Sequence, residues 1–171
     1  MEENESVSLK GITGYRMPRY ETIPNIGLYL NQVVKYISDV LEPFSGMEIT
    51  ESMISNYVKK RVIARPVKKL YYRRQISELI FISFAKQAAS IEDVQVLLLR
   101  MRSDYGEGIA YDLFCELFEQ ALCSSQLQVG VAKVPNASSE RNRIEMILQT
   151  IASIVASKVC LERCFEELQA D

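Results

Sequence analysis

Eight cations stand close together in this chain, Lys59, Lys60, Arg61, Arg65, Lys68, Lys69, Arg73 and Arg74, and no Asp or Glu interrupts residues 52–77. That stretch carries +8; the rest, with 12 of the 20 Lys and Arg and all 22 Asp and Glu, carries 12 − 22 = −10. Such polarisation in a chain of net charge −2 suits a polyanionic partner, because each cation can neutralise a phosphate and release its condensed counterions. Beside the cations, Ser52, Ser55, Asn56 and Lys59 are short or flexible polar side chains able to read base edges. Asn can bond adenine bidentately and Lys can reach guanine from the major groove. The bland alternative is a merely solvated face, and the lack of acids over that length weighs against it.

Catalytic chemistry has little to work with. The chain has no histidine, which removes the commonest general base, and its seven glycines form neither GxGxxG nor GxxxxGK. Cys115, Cys123, Cys160 and Cys164 form no CxxC pair, so they read as buried free thiols and not as a zinc site. The reading therefore expects no enzyme, no catalytic residue, no metal and no cofactor.

The elements that must carry the cations follow from periodicity. Residues 1–24, with Gly11, Gly14, Pro18 and Pro24 and no period, read as a flexible N-terminal arm whose Tyr15, Arg16, Arg19 and Tyr20 pack on the body or reach a partner. Leu30, Val33, Val34, Ile37 and Leu41 mark one face of a helix over Ile26 to Leu41, ended by Pro43 and Gly46. Thr50 is an N-cap, followed by a short helix whose inward stripe is Met53, Ile54, Tyr57 and Val58. Ser52, Ser55, Asn56, Lys59 and Lys60 then face outward, as in a helix-turn-helix.

Pro66 stops regular helix, so Val67 to Tyr72 reads as a small hairpin or extended wing. A largely buried helix follows over Gln75 to Lys86, and Ser90 with Asp93 opens a fourth carrying Val94, Leu97, Leu98 and Met101 inward. The glycine-bearing run SDYGEG, 103–108, predicts a boundary.

Beyond it, Ile109 to Ser125 has helical spacing, the loop Gln126 to Asn136 contains a candidate strand in LQVGVAKV, and Ser138 or Ser139 caps a last helix running to about Leu168. Two heptad rows run along that helix, Ile144, Ile151, Lys158, Phe165 and Ile147, Ile154, Leu161, Leu168. Seven of those eight are apolar, as in a coiled-coil seam, while Leu148, Ala152, Val155 and Val159 widen the apolar surface. A dimer-forming helix and a core helix of a monomeric bundle both fit. An effector pocket lined by Phe114, Phe118, Met146 or Phe165 is a weaker reading than plain core.

The N-terminal MEENESVSLKG opens with acids and has no apolar stretch, which argues against a secretory leader. The runs LIFISFA and VLLL fall short of the ~20 residues a bilayer needs, so a cytoplasmic protein without a membrane partner is expected. Hydrophobic content of 48% with 25% charged residues is ordinary for a globular domain.

Over Tyr15 to Arg102 the order YLNQV, IT-x-x-MISNYVK, Pro, basic wing, Y-x-R-x-x-I-x-x-L and SIEDVQVLL resembles the DNA-binding domain of the mercury-resistance-regulator (MerR) family. It is closer still to the bacterial family DUF1836, a domain of unknown function. The MerR resemblance implies a winged helix-turn-helix that binds promoter DNA as a dimer, with dimerisation or effector binding in the C-terminal region. It matches Ile54 and Tyr57 to recognition-helix positions and Tyr71 to the wing tyrosine. Ser55, Asn56 and Lys69 stand where that family has Arg, Tyr and Arg.

The expectation is an all-α protein, with a MerR-like winged helix-turn-helix over 25–102 and a helical dimerisation or effector region over 109–171. It is expected to regulate transcription by binding double-stranded DNA, as a homodimer, with any small-molecule effector unknown. The alternative is a helical protein-interaction module whose basic face meets an acidic protein.

Overall fold

The fold turns on one helix that has no outward side. The computed structural model describes residue 12 and residues 14–125 and 139–170, and its helices are α1 (Leu30–Leu41), α2 (Glu51–Lys59), α3 (Arg73–Ala85), α4 (Ile91–Asp104), α5 (Ile109–Ser125) and α6 (Glu140–Ala170), with a 3-10 turn at Tyr20–Thr22. Every residue of α3 from Gln75 to Ala85 is buried. The run LIFISFA is apolar all round, so the helix is stable only with neighbours on every side. The arm, α1, α4, α5 and α6 supply them. The molecule is all-helical, and among the described residues there is no strand longer than an isolated bridge.

Several expectations shift by a few residues, each for a local reason. The first helix begins at Leu30, because Leu28 is held in an antiparallel bridge to Tyr71 by two backbone hydrogen bonds of 2.8 Å. Gly27 precedes it at φ +77°, where a Cβ would press within 3.2 Å of Leu70. Arg73 and Arg74, expected to follow the wing, are the first two residues of α3. Helices α1 and α3 start by the same device, a glutamine reaching back to an orphan amide. Tyr29 N donates to Gln32 Oε1 at 2.9 Å and Tyr72 N to Gln75 Oε1 at 2.8 Å.

The Ser90 cap forms as read: its Oγ accepts from Asp93 N at 3.1 Å and donates to Asp93 Oδ2 at 2.6 Å. Of the run 103–108, Ser103 and Asp104 end α4 and residues 105–108 turn the chain into α5, and the buried core passes straight across that turn. Phe81 and Phe84 of α3 meet Phe114 and Phe118 of α5 edge-on or tilted, with ring centroids 4.9 Å apart in the pairs 81–114 and 84–118. Phe114 and Phe118 are thus core, and Phe165 is exposed.

The arm is docked from Tyr15 to Pro24. Tyr15 donates to the Val40 carbonyl at 2.8 Å, and Arg19 grips Glu119 with both terminal nitrogens at 2.7 and 3.0 Å. Of the four cysteines only Cys115 is buried; Cys123 is exposed, Cys160 and Cys164 are half-buried, and none is disulfide-bonded. Burial pushes the Cys115 thiol up to about 12. The candidate strand in 127–134 lies outside the described residues.

On α6 the two heptad rows part company. Ile144 and Ile151 are buried with Leu148, Ala152, Val155, Ala156 and Val159, whereas Ile147, Ile154, Leu161 and Leu168 face outward at 42, 45, 56 and 72% exposure. By length and composition α6 is apolar enough to cross a bilayer, although Ile144 and Ile151 of the first row are spent on the protein's own core and its Phe165 is exposed.

Candidate nucleic-acid interface

The basic segment is built as a frame of three short pieces: α2, the loop 60–66, and a two-residue hairpin at 67–70. Thr50 Oγ1 accepts from Met53 N at 3.2 Å and starts α2, as its residue type predicts. Ile54 and Tyr57 turn inward, which leaves Ser52, Ser55, Asn56 and Lys59 exposed along the opposite side.

The helix ends in a Schellman motif. Arg61 N reaches the Val58 carbonyl at 3.1 Å, and Val62 N reaches Tyr57 at 2.9 Å. This ending needs a left-handed residue, normally Gly, and here it is Arg61 at φ 60°. The hairpin makes the same demand twice. Val67 and Leu70 exchange backbone hydrogen bonds of 2.9 and 3.0 Å around Lys68 and Lys69, at φ 50° and 67°. Tight turns of this kind favour Asn-Gly. Among the described residues these three cations are the only non-glycine residues at positive φ.

Two side chains, buried Gln75 and half-buried Arg102, hold the frame from behind. Gln75 Nε2 donates to the carbonyls of Ala64 (3.4 Å) and Arg65 (3.0 Å), while its Oε1 caps α3. Arg102 Nη2 donates to the Val62 carbonyl at 3.0 Å and pairs with Glu78 through Nε and Nη2 at 2.7 and 2.8 Å. Gln95 of α4 adds longer bonds to the carbonyls of Lys60 and Arg61, at 3.4 and 3.3 Å. None of Gln75, Glu78, Arg102 or Gln95 stands out in the sequence as a site residue. A glutamine at the third position of a helix, where its side chain can reach back to the cap amide, is the one signal that could have singled out Gln75.

The twelve candidate contact residues then sort themselves. Ser52, Ser55, Asn56, Lys59, Lys60, Arg61, Arg65, Lys68, Lys69 and Arg74 are exposed. Among the described residues Lys59, Arg61, Arg65, Lys68 and Lys69 have no ion-pair partner; Lys60 lies 4.0 Å from Glu92 and Arg74 lies 3.5 Å from Glu78. The other two are turned to internal duties. Tyr71 is buried, and burial raises its hydroxyl above the ordinary tyrosine value. Arg73 holds the arm: its Nε donates to the Ile23 carbonyl at 2.9 Å, and its terminal nitrogens bind the Glu21 side chain and carbonyl.

Residues 18–114 match the family described as Domain of unknown function (DUF1836). That is 97 of 171 residues, more than half of the chain. The chain belongs to this family. The DUF1836 region takes in the end of the arm, α1 to α4 and the first turns of α5, and with them the whole basic frame and its supports Gln75 and Arg102. Most of α5 and all of α6 lie beyond it. No curated protein and no solved structure matches the chain. Among the described residues no three Cys, Asp or Glu side chains converge as a metal site would require.

Proposed function

We propose that this DUF1836 protein is a DNA-binding transcriptional regulator that works as a homodimer. In this reading α1, the turn at Pro43–Gly46 and α2 act as a MerR-like helix-turn-helix, with α2 in the major groove and the hairpin at 67–70 as a minimal wing. The observation that carries it is the backbone at Arg61, Lys68 and Lys69. Each holds a left-handed conformation that glycine would adopt freely, at a penalty of roughly 1–2 kcal/mol, and each is an exposed cation. Strain of this kind persists at sites where the side chain is needed.

Ser52, Ser55, Asn56 and Lys59 are the base readers; Lys60, Arg61, Arg65, Lys68, Lys69 and Arg74 position the backbone. The dimer forms through the outer side of α6. There Ile147, Ile154, Leu161 and Leu168 recur every seven residues as one exposed apolar row, flanked by the polar Arg143, Thr150 and Ser157 and distinct from the buried residues of the helix. The C-terminal end of α6 also holds the helix-turn-helix directly, since Ser45 donates to Glu166 Oε1 at 2.5 Å and Arg163 to the Pro43 carbonyl at 3.2 Å. A two-fold axis along α6 would therefore set the spacing of the two α2 helices.

Selection of the purified protein on a random duplex library at two salt concentrations tests the proposal. The expected result is an inverted repeat that stays enriched at the higher salt. Binding without enrichment, or no binding, would transfer the basic frame to an acidic protein partner.

A further inference from the structure

A cavity of about 170 Å3 opens where the arm, the start of α3, the end of α4 and the α4–α5 turn meet. A water occupies about 10–15 Å3 by the same measure, so the space suits a molecule of roughly ten non-hydrogen atoms. Leu98, Met101 and the Tyr111 ring supply an apolar floor, and four charged side chains, Arg74, Glu78, Arg102 and Glu107, share the lining.

Those four charges are unequally satisfied. Glu78 and Arg102 neutralise each other through two short bonds of 2.7 and 2.8 Å. Arg74 lies 3.5 Å from Glu78, longer than the 2.7–2.9 Å of a good charge-assisted bond, and its side chain is half exposed. Glu107 accepts one hydrogen bond, from the Tyr20 hydroxyl at 2.7 Å, and among the described residues has no cation paired with it. One under-used cation and one uncompensated carboxylate thus line the same small cavity, over an apolar floor.

The wall that carries Glu107 is fixed. Gly108 is at φ +81°, and a Cβ there would come within 2.3 Å of the Tyr20 ring, so the Tyr20 side chain packs directly against bare backbone. The Arg73 guanidinium stands 5.6 Å from the same ring, and Tyr20 N donates to Asp112 Oδ1 at 2.7 Å. A cavity lined by a weakly paired cation, a carboxylate without a paired cation and apolar side chains is complementary to a small zwitterion.

We propose that this cavity binds a free α-amino acid with an apolar side chain, its carboxylate on Arg74, its ammonium on Glu107 and its side chain on Leu98, Met101 and Tyr111. Nothing in this assignment depends on DNA binding.

Calorimetric titration of the full-length chain with leucine, methionine and phenylalanine tests it, each beside the matched carboxylic acid lacking the amine and the matched amine lacking the carboxylate. At least one amino acid is expected to bind one-to-one, with its acid and its amine each weaker by roughly tenfold or more, the loss of one charge-assisted bond. The same loss is expected in Arg74→Gln and in Glu107→Gln. Both variants should keep the native circular dichroism, because Arg74 is half exposed and an amide oxygen at 107 still accepts from Tyr20. Absence of saturable binding by all three amino acids, equal binding by the acid or the amine alone, or affinity unchanged in both variants would overturn it.

Discussion

The side-chain amide of Gln75 lies 3.0 Å from the main-chain carbonyl of Arg65, ten residues back along the chain and on the far side of Pro66. With the Ala64 carbonyl and the Tyr72 amide on the same side chain, one buried residue ties the loop of the basic frame to the start of the central helix. Gln75→Leu keeps the volume and removes all three bonds. It is expected to lower unfolding free energy by roughly 1–3 kcal/mol in urea titration, and, if the proposed DNA binding holds, to weaken it without any change in net charge.

The hairpin offers an opposite pairing of effects. Replacing Lys68 and Lys69 with Asn and Gly relieves two left-handed residues and should stabilise the protein by about 1 kcal/mol each. If the lysines contact phosphates, the same variant loses affinity for all duplexes and flattens the log–log salt dependence by about 1.8. A stabilised variant with undiminished binding would remove the hairpin from the interface.

Arg73 and Asn56 should behave unlike the exposed lysines, and unlike each other. Arg73→Ala frees the arm by removing its bonds to Ile23 and Glu21, so its first symptom is faster proteolysis near residue 20. Asn56→Ala leaves stability almost unchanged, because the side chain is exposed, and alters which sequence is selected.

On α6 the exposed and the buried residues make different predictions. If the proposed dimer forms through the outward row, Ile154→Lys halves the mass seen by light scattering while helical circular dichroism persists. Ile151→Lys, on the buried row, places an unpaired charge in the core and should unfold the protein.

Acid should undock the arm. Burial pushes the Glu119 carboxyl upward, but the Arg19 bond, the Met17 amide at 2.9 Å and nearby Arg16 outweigh it and hold the group below the ordinary glutamate value of 4.5. A carboxylate with a lowered folded pKa stabilises the fold in full above its unfolded pKa, and the contribution is lost as pH falls through the folded value. The melting-temperature gap between wild type and Glu119→Gln should therefore be full at neutral pH and close in acid. A gap independent of pH would exclude ionisation of Glu119 as its source.

Much of the architecture is legible in the residues alone, because it is local. Thr50, Ser90 and Ser139 cap helices where their types predict, since a side-chain oxygen two or three residues from an orphan amide needs nothing from elsewhere in the chain. Ile109–Ser125 shows as a helix by its period, and the acid-free run of cations is plain to a reader counting charges. What periodicity leaves open is which apolar surface meets which. Seven apolar residues on two rows of α6 are equivalent in sequence; only packing against α3, α4 and above all α5 buries Ile144 and Ile151 and leaves Ile147 and Ile154 outside. Eight cations are likewise equivalent until tertiary contacts turn Arg73 toward the arm and leave Lys68 and Lys69 at the tip of a turn. The supports at Gln75, Glu78 and Arg102, and the cavity between Arg74 and Glu107, join residues 10 to 40 positions apart. Such long-range bonds leave no local trace, and they decide where the charges stand.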